Sequence, residues 1–115
     1  MKTVALFSLC GMLLLPNTLA ADLRHNLMCS VLDEGDKVIR CTYSSIRLDT
    51  PRTIQFIWRS ETTPQDDRER TLSLPPLHGS VYDYRYYYGR ASGNWEVAAT
   101  DSEGHTLATT SFTLP

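Results

Sequence analysis

In several segments after residue 21 apolar and polar residues alternate with the period of two that belongs to half-buried β-strands. Between Cys29 and Cys41, the apolar pieces Val31-Leu32 and Val38-Ile39 flank Asp33-Glu34-Gly35-Asp36-Lys37, a pattern that predicts a hairpin turning at Gly35. Centring the turn there opposes Val31 to Ile39 and Cys29 to Cys41. Thr53–Arg59 sets Ile54, Phe56 and Trp58 against Thr53, Gln55 and Arg59, with Ile57 as the exception, and predicts the strand with the most apolar face. Ser60–Arg70, with Pro64 and the charge run Asp66-Asp67-Arg68-Glu69-Arg70, predicts an exposed loop. Leu72 and Leu74 predict a short strand that Pro75-Pro76 ends, because two prolines remove two ladder donors.

The segment Val81–Tyr88 places Tyr82, Tyr84, Tyr86 and Tyr88 on one face of an extended strand and Val81, Asp83, Arg85 and Tyr87 on the other. The expectation is that the tyrosine face fills the core with its hydroxyls at the rim, leaving Asp83, Arg85 and Tyr87 outward. Trp95, Val97 and Ala99 share one face of a further strand, and Asp101-Ser102-Glu103-Gly104 turns the chain with Gly104 in a left-handed position. In the return strand His105–Leu114, Leu107 has one parity and Phe112 and Leu114 the other, which predicts a bulge between Ala108 and Ser111. Beyond residue 21 no stretch keeps a helical period for three turns. Six or seven short strands with turn signals between them predict an all-β fold, a two-sheet antiparallel sandwich.

Residues 1–20 have a different pattern. Lys2, the apolar run Val4–Leu15 interrupted by Ser8 and Gly11, and the small residues Thr18 and Ala20 predict a cleavable export signal, cut after Ala20 or Ala21. The apolar run is about a dozen residues, short of the roughly 20 that span a bilayer. A cut after Ala20 takes 20 residues from the 115 and leaves 95, enough for one domain over 21–115. It also removes Lys2, the only charged residue ahead of the cut, and moves the formal net charge from −2 to −3. That balance argues against nucleic acid, which calls for a basic stripe, and the lack of a second long apolar run argues against stable membrane insertion. Cys10 is expected to leave with the signal. Cys29 and Cys41 then have a single possible pairing in an exported chain, a disulfide that should stabilise the fold by about 3 kcal/mol.

The run Gly93-Asn94-Trp95-Glu96-Val97, the turn Asp101-Ser102-Glu103-Gly104, Leu107 and the ending Phe112-Thr113-Leu114 resemble the closing hairpin of immunoglobulin-like β-sandwich domains in bacterial envelope proteins. The resemblance implies an immunoglobulin-like sandwich in the bacterial periplasm. It covers about 22 residues well, consists of packing and turn chemistry, and carries no catalytic residue. The Cys29–Cys41 hairpin is not part of it.

His25 falls near the start of the expected mature chain, His78 after the Pro75-Pro76 turn and His105 after the Gly104 turn, without a metal-ligand spacing, and no Gly-x-Ser-x-Gly elbow or Gly-rich phosphate loop occurs. Asp66 and Asp67 are adjacent, so they face apart in an extended chain and make a poor acid/base pair. No cofactor or metal is expected, and neither is an enzyme. Binding is the stronger expectation, since five tyrosines occur between positions 82 and 88, interleaved with Asp83 and Arg85 and followed by Arg90. Tyrosine gives large rigid contact area at small entropic cost, and Tyr with Arg is enriched at binding hot spots. The candidate partner-binding residues are Asp83, Arg85, Tyr87 and Arg90, the loop residues Asp66, Asp67 and Arg68, and His78 in the Pro75–Ser80 loop. Two functions follow. One is an exported periplasmic module that occludes a protein partner, a secreted toxin or cell-wall hydrolase, similar in general character to immunity proteins and hydrolase inhibitors. The other is an envelope accessory domain that binds another envelope component or a glycan through Tyr and Trp. The oligomeric state is left open.

Overall fold

The computed structural model describes residues 24–115, so the expected export signal over residues 1–20, with Cys10, lies outside the described residues. Seven strands follow in order: β1 (Asn26–Glu34), β2 (Asp36–Ser44), β3 (Arg52–Ser60), β4 (Arg68–Leu74), β5 (Ser80–Tyr86), β6 (Gly93–Thr100) and β7 (Thr106–Leu114). A single 3-10 turn, Pro64–Asp66, precedes β4. Two antiparallel sheets form, one ordered β1-β2-β5 and the other β4-β3-β6-β7. This is an immunoglobulin-like sandwich in which the fourth strand pairs with the third instead of the fifth.

The N-terminal hairpin has the register its sequence predicts. Val31 opposes Ile39 and Cys29 opposes Cys41, with Gly35 at φ +77° closing the turn. The two cysteines are joined by a disulfide at a Cα separation of 4.0 Å. Such a bond belongs to an oxidising, extracytoplasmic environment. Inside, Ile54, Phe56 and Trp58 of β3 and Trp95, Val97 and Ala99 of β6 meet Leu27, Ile39, Cys41 and Tyr43 of the first sheet, all buried. Trp95 stacks on Phe112 with centroids 6.1 Å apart, while Trp58 meets the same ring edge-on at 6.4 Å. Gly104, at φ +85°, turns β6 into β7, and Asp101 Oδ1 accepts the backbone N–H groups of Glu103 and His105 across that turn.

Three expectations are corrected. The bulge lies next to the turn, where Ala99 pairs with Ala108 and Thr100 with Thr106, so Leu107 is the extra residue and keeps an inward lean beside Ala108. The charge run is not all loop, because Arg68, Glu69 and Arg70 begin β4 and pair with Trp58, Ile57 and Phe56. Finally, β5 is turned over. Its register on β2 opposes Asp83 to Cys41 and Arg85 to Ile39, both inward residues, so Asp83 and Arg85 point into the sandwich and Tyr82, Tyr84 and Tyr86 point out. Because the period is two, the buried row of β2 fixes the parity of its neighbour.

Candidate functional site

The outer face of the β1-β2-β5 sheet is built in cross-strand rows. Met28, Thr42 and Tyr82 form one row, Ser30, Arg40 and Tyr84 the next, and Leu32, Val38 and Tyr86 the third. Tyr82 is 52% exposed, Tyr84 42% and Tyr86 56%. Their rings are organised among themselves: Tyr84 and Tyr86 meet edge-to-face at 6.1 Å, and the Arg40 guanidinium lies 5.2 Å from the centroid of Tyr82. A shallow groove runs among Leu32, Glu34, Asp36, Val38 and Arg40 below the three tyrosines. Tyr87 is half-buried beneath Lys37, whose Nζ sits 4.2 Å from the ring centroid, and packs edge-on against the exposed Tyr88. Large contiguous exposed apolar patches are uncommon on folded monomers.

Beneath this face, charged side chains of β5 meet β4 and the Pro64–Asp66 turn at the seam between the sheets. Asp83, 1% exposed, accepts Trp58 Nε1 at 2.8 Å and Arg68 Nη2 at 2.9 and 2.8 Å, with Arg70 Nη1 at 3.5 Å. Arg85, 7% exposed, donates to the Asp66 backbone carbonyl at 2.7 Å and to Asp66 Oδ1 at 3.0 Å. Its guanidinium lies 5.6 Å from the Trp58 ring and 5.5 Å from Trp95. Burial, and then the nearby positive charge of Arg90, push the pKa of Arg85 down. Asp66 ties the loop to the seam, since Oδ2 accepts the Ala91 N–H at 2.8 Å and faces Arg90 Nε at 3.5 Å. Inward charges on the strands at the open side of each sheet also guard those edges against pairing with another chain.

The structure therefore sorts the candidate residues. Asp83 and Arg85, expected on an outward face, are interior groups that join the two sheets, because only there do they meet Trp58, Arg68 and Asp66. Asp66, Arg68 and Arg90 gather around them with Arg70. Asp67 is exposed and accepts the Ser60 backbone N–H at 2.7 Å, which closes its own loop. His78 is exposed at the other end of β5, beside Leu77, which holds φ +67°. Sequence reasoning did not single out Arg40, Arg70, Met28 or Leu32. The signal that could have found Arg40, Met28 and Leu32 is the disulfide hairpin, whose inward cysteines fix these residues as outward; nothing in the hairpin points to Arg70. Among the described residues no group of three or more His, Cys, Asp or Glu is placed to hold a metal ion.

No protein-family model matches the chain, and no curated protein matches it. Two solved structures share part of the backbone arrangement. An endonuclease/exonuclease/phosphatase of Beutenbergia cavernae matches 76% of this chain at 14% identity and a TM-score of 0.43. A GH3 beta-glucosidase of Bifidobacterium adolescentis matches 78% at 14% identity and a TM-score of 0.38. The matches span 23% and 17% of those chains, and at these scores neither neighbour bears on what this chain does.

Proposed function

We propose that the protein is an exported protein-binding module of the bacterial envelope, and that it neutralises a partner enzyme, a secreted toxin or a cell-wall hydrolase, by docking the outer face of β1-β2-β5 onto it. The observation that carries this reading is the exposure of Tyr82, Tyr84 and Tyr86 in one row system with Arg40, Met28 and Leu32. The fold does not require tyrosine there. Tyr and Arg are the residues that supply hot-spot energy in protein interfaces, and rigid rings on a sheet lose little entropy on docking. The disulfide beneath the face and the seam behind it hold the rings on a rigid support. Export of the chain and the periplasm as its compartment belong to the same proposal.

The test is capture from envelope extract with the tagged protein, followed by assay of each captured enzyme. The expected result is a stoichiometric hydrolase or toxin that loses activity when bound, with capture lost in Tyr82→Ala. Capture that is unchanged by Tyr82→Ala and Tyr84→Ala would move the interface elsewhere. A second reading, an accessory domain that stacks a glycan on the same tyrosines, is favoured by the carboxylates of Glu34 and Asp36 in the groove under Tyr86. Sugar binding that disappears in Tyr86→Ala, without inhibition of any enzyme, would select it.

A further inference from the structure

The seam that anchors the tyrosine face is electrostatically incomplete. Four guanidinium groups, Arg68, Arg70, Arg85 and Arg90, surround two carboxylates, Asp66 and Asp83, an excess of two positive charges on a chain whose formal net charge is −2. The hydrogen bonds show the same shortage of acceptors. Both oxygens of Asp83 are engaged by Arg68, and Trp58 adds a further donor. Both oxygens of Asp66 are engaged by Arg85 and the Ala91 N–H. Yet the Nε atoms of Arg68, Arg85 and Arg90 are buried and make no hydrogen bond among the described residues, Arg90 Nε approaching Asp66 Oδ2 only to 3.5 Å. Buried polar groups nearly always find a partner, and an unpaired one points to a water or ion that completes the site.

The cluster is also reachable. A notch opens between Arg68, Arg70, Arg85 and Arg90 on one side and Tyr84 and Tyr86 on the other, and the Arg70 side chain is half exposed at its mouth. Its tyrosine wall is the edge of the docking face. We propose that this notch is an anion-binding site, and that in the docked state it takes a carboxylate oxygen pair from an Asp or Glu side chain of the partner protein. The proposal rests on the reading of the tyrosine face as a protein-docking surface and names the anchor beside it. Planar guanidinium groups present paired donors that match a carboxylate, and such charge-assisted bonds are strong where water is partly excluded. An anion in the notch also relieves the mutual repulsion of Arg68, Arg85 and Arg90. In the free protein, by contrast, Arg85 carries its charge at the cost of a depressed pKa, set first by burial and next by Arg90. The remaining charge on the chain is acidic, so the notch is a local exception that fixes how an acidic partner group approaches.

The experiment follows the arginine Nε–Hε resonances by NMR while sodium acetate is titrated into the exported, purified protein at constant ionic strength held with chloride. Inorganic phosphate forms the second arm. The expected result is a saturable shift confined to Arg68, Arg70, Arg85 and Arg90. Arg70→Gln and Arg90→Gln should each weaken it about tenfold, the loss of one charge-assisted bond. Arg47→Gln, exposed beside Gly79 at the opposite end of β5, should leave it unchanged. Thermal melts of the Gln variants check that the fold survives, and Arg70, being half exposed, is the safer of the two. Shifts that never saturate, that follow chloride equally, or that persist in both Gln variants overturn the site. Saturation by phosphate but not acetate overturns the carboxylate assignment. Failure here with capture still lost in Tyr82→Ala refutes the notch alone. Acetate binding with capture unaltered in Tyr82→Ala refutes the docking face alone.

Discussion

The outer face of β4-β3-β6-β7 and the outer face of β1-β2-β5 cover the same core from opposite sides, and they are made of different chemistry. The first carries Gln55, Arg59, Glu69, Asn94, Glu96 and Thr113, many of which pair with one another. Gln55 donates to Glu69 at 3.4 Å, Asn94 donates to Glu61 at 3.0 Å, and Thr113 donates to Asn94 at 2.7 Å. That face satisfies itself. The second carries Tyr82, Tyr84, Tyr86, Met28, Leu32 and Val38, with Arg40 among them. Its rings meet one another and Arg40, and they stay largely exposed. An antiparallel sheet can place polar residues on a solvated face at no structural loss, as the larger sheet does. The difference therefore separates a face that the fold alone accounts for from one that it does not, and it is why the proposed docking surface is put on the smaller sheet.

The largest expected effect comes from removing the layer both faces stand on. Trp58 is buried, donates to Asp83 and has the guanidinium groups of Arg68 and Arg85 5.9 and 5.6 Å from its ring centroid. Trp58→Ala should destabilise by about 5 kcal/mol, the upper end for a deleted core aromatic, since it leaves both a cavity and a less satisfied carboxylate. Denaturant unfolding followed by near-UV circular dichroism would show it. If one face kept its signals while the other melted, the two sheets would not share one cooperative core. The next effect belongs to the smaller sheet alone. Replacing Cys29 and Cys41 together with Ser should cost about 3 kcal/mol through loop closure in the unfolded chain. Capture of the partner at low temperature should persist, because both cysteines face inward, away from the tyrosines. A folded double variant that no longer binds would place the hairpin in the interface.

The sharpest separation of the two faces is a matched pair of exposed substitutions. Tyr84→Ala should weaken partner binding by about 2 kcal/mol, the scale of a hot-spot residue, while leaving the melting temperature almost unchanged. Thr71→Ala, on the polar face, should change neither. Isothermal titration beside thermal melts reads both quantities, and equal binding by the two variants would cancel the functional contrast between the faces.

How far the chain announced this contrast depends on where each signal resides. The Gly35 hairpin, the Cys29–Cys41 register, the inward row Ile54, Phe56 and Trp58 and the Asp101–Gly104 turn were legible because each is decided by residues no more than 12 positions apart. The orientation of β5 was not. Alternation marks two faces without saying which is inside, and aromatic residues normally claim the interior. Here the decision is made by groups far away in sequence: Asp83 gains Trp58 and Arg68, and Arg85 gains Asp66. With those partners, a carboxylate and a guanidinium can be buried and three tyrosines left in water. The same distance hid the role of the charge run, since Arg68 and Arg70 resemble solvated loop residues until β4 lies across from Asp83. The alternation of this strand was thus read correctly and its two faces were exchanged.

The smallest expected effect tests whether the two ends of the molecule are independent of the faces. His25 Nδ1 shares a hydrogen bond with the Tyr43 hydroxyl at 2.6 Å, and its pKa is lowered first by burial and then by Arg52, with Asp101 opposing. The ordinary value is 6.5, so the folded protein holds this proton less tightly than the unfolded chain. Stability from this source is complete above pH 6.5 and declines as the pH falls through the lower folded value. Since His25 is largely solvated, the decline should stay below about 0.5 kcal/mol after screening. Melts recorded from pH 7.5 down to pH 5 in the parent and in His25→Gln should differ by that amount, with the variant the flatter of the two. His25 sits beside Arg52, the first residue of β3, whereas the arginine notch adjoins the loop that follows Ser60 at its far end. Acetate binding at the notch should therefore be the same in His25→Gln and in the parent. A difference would mean that protonation at one end of β3 is felt at the other, and that the sandwich couples its ends as well as its faces.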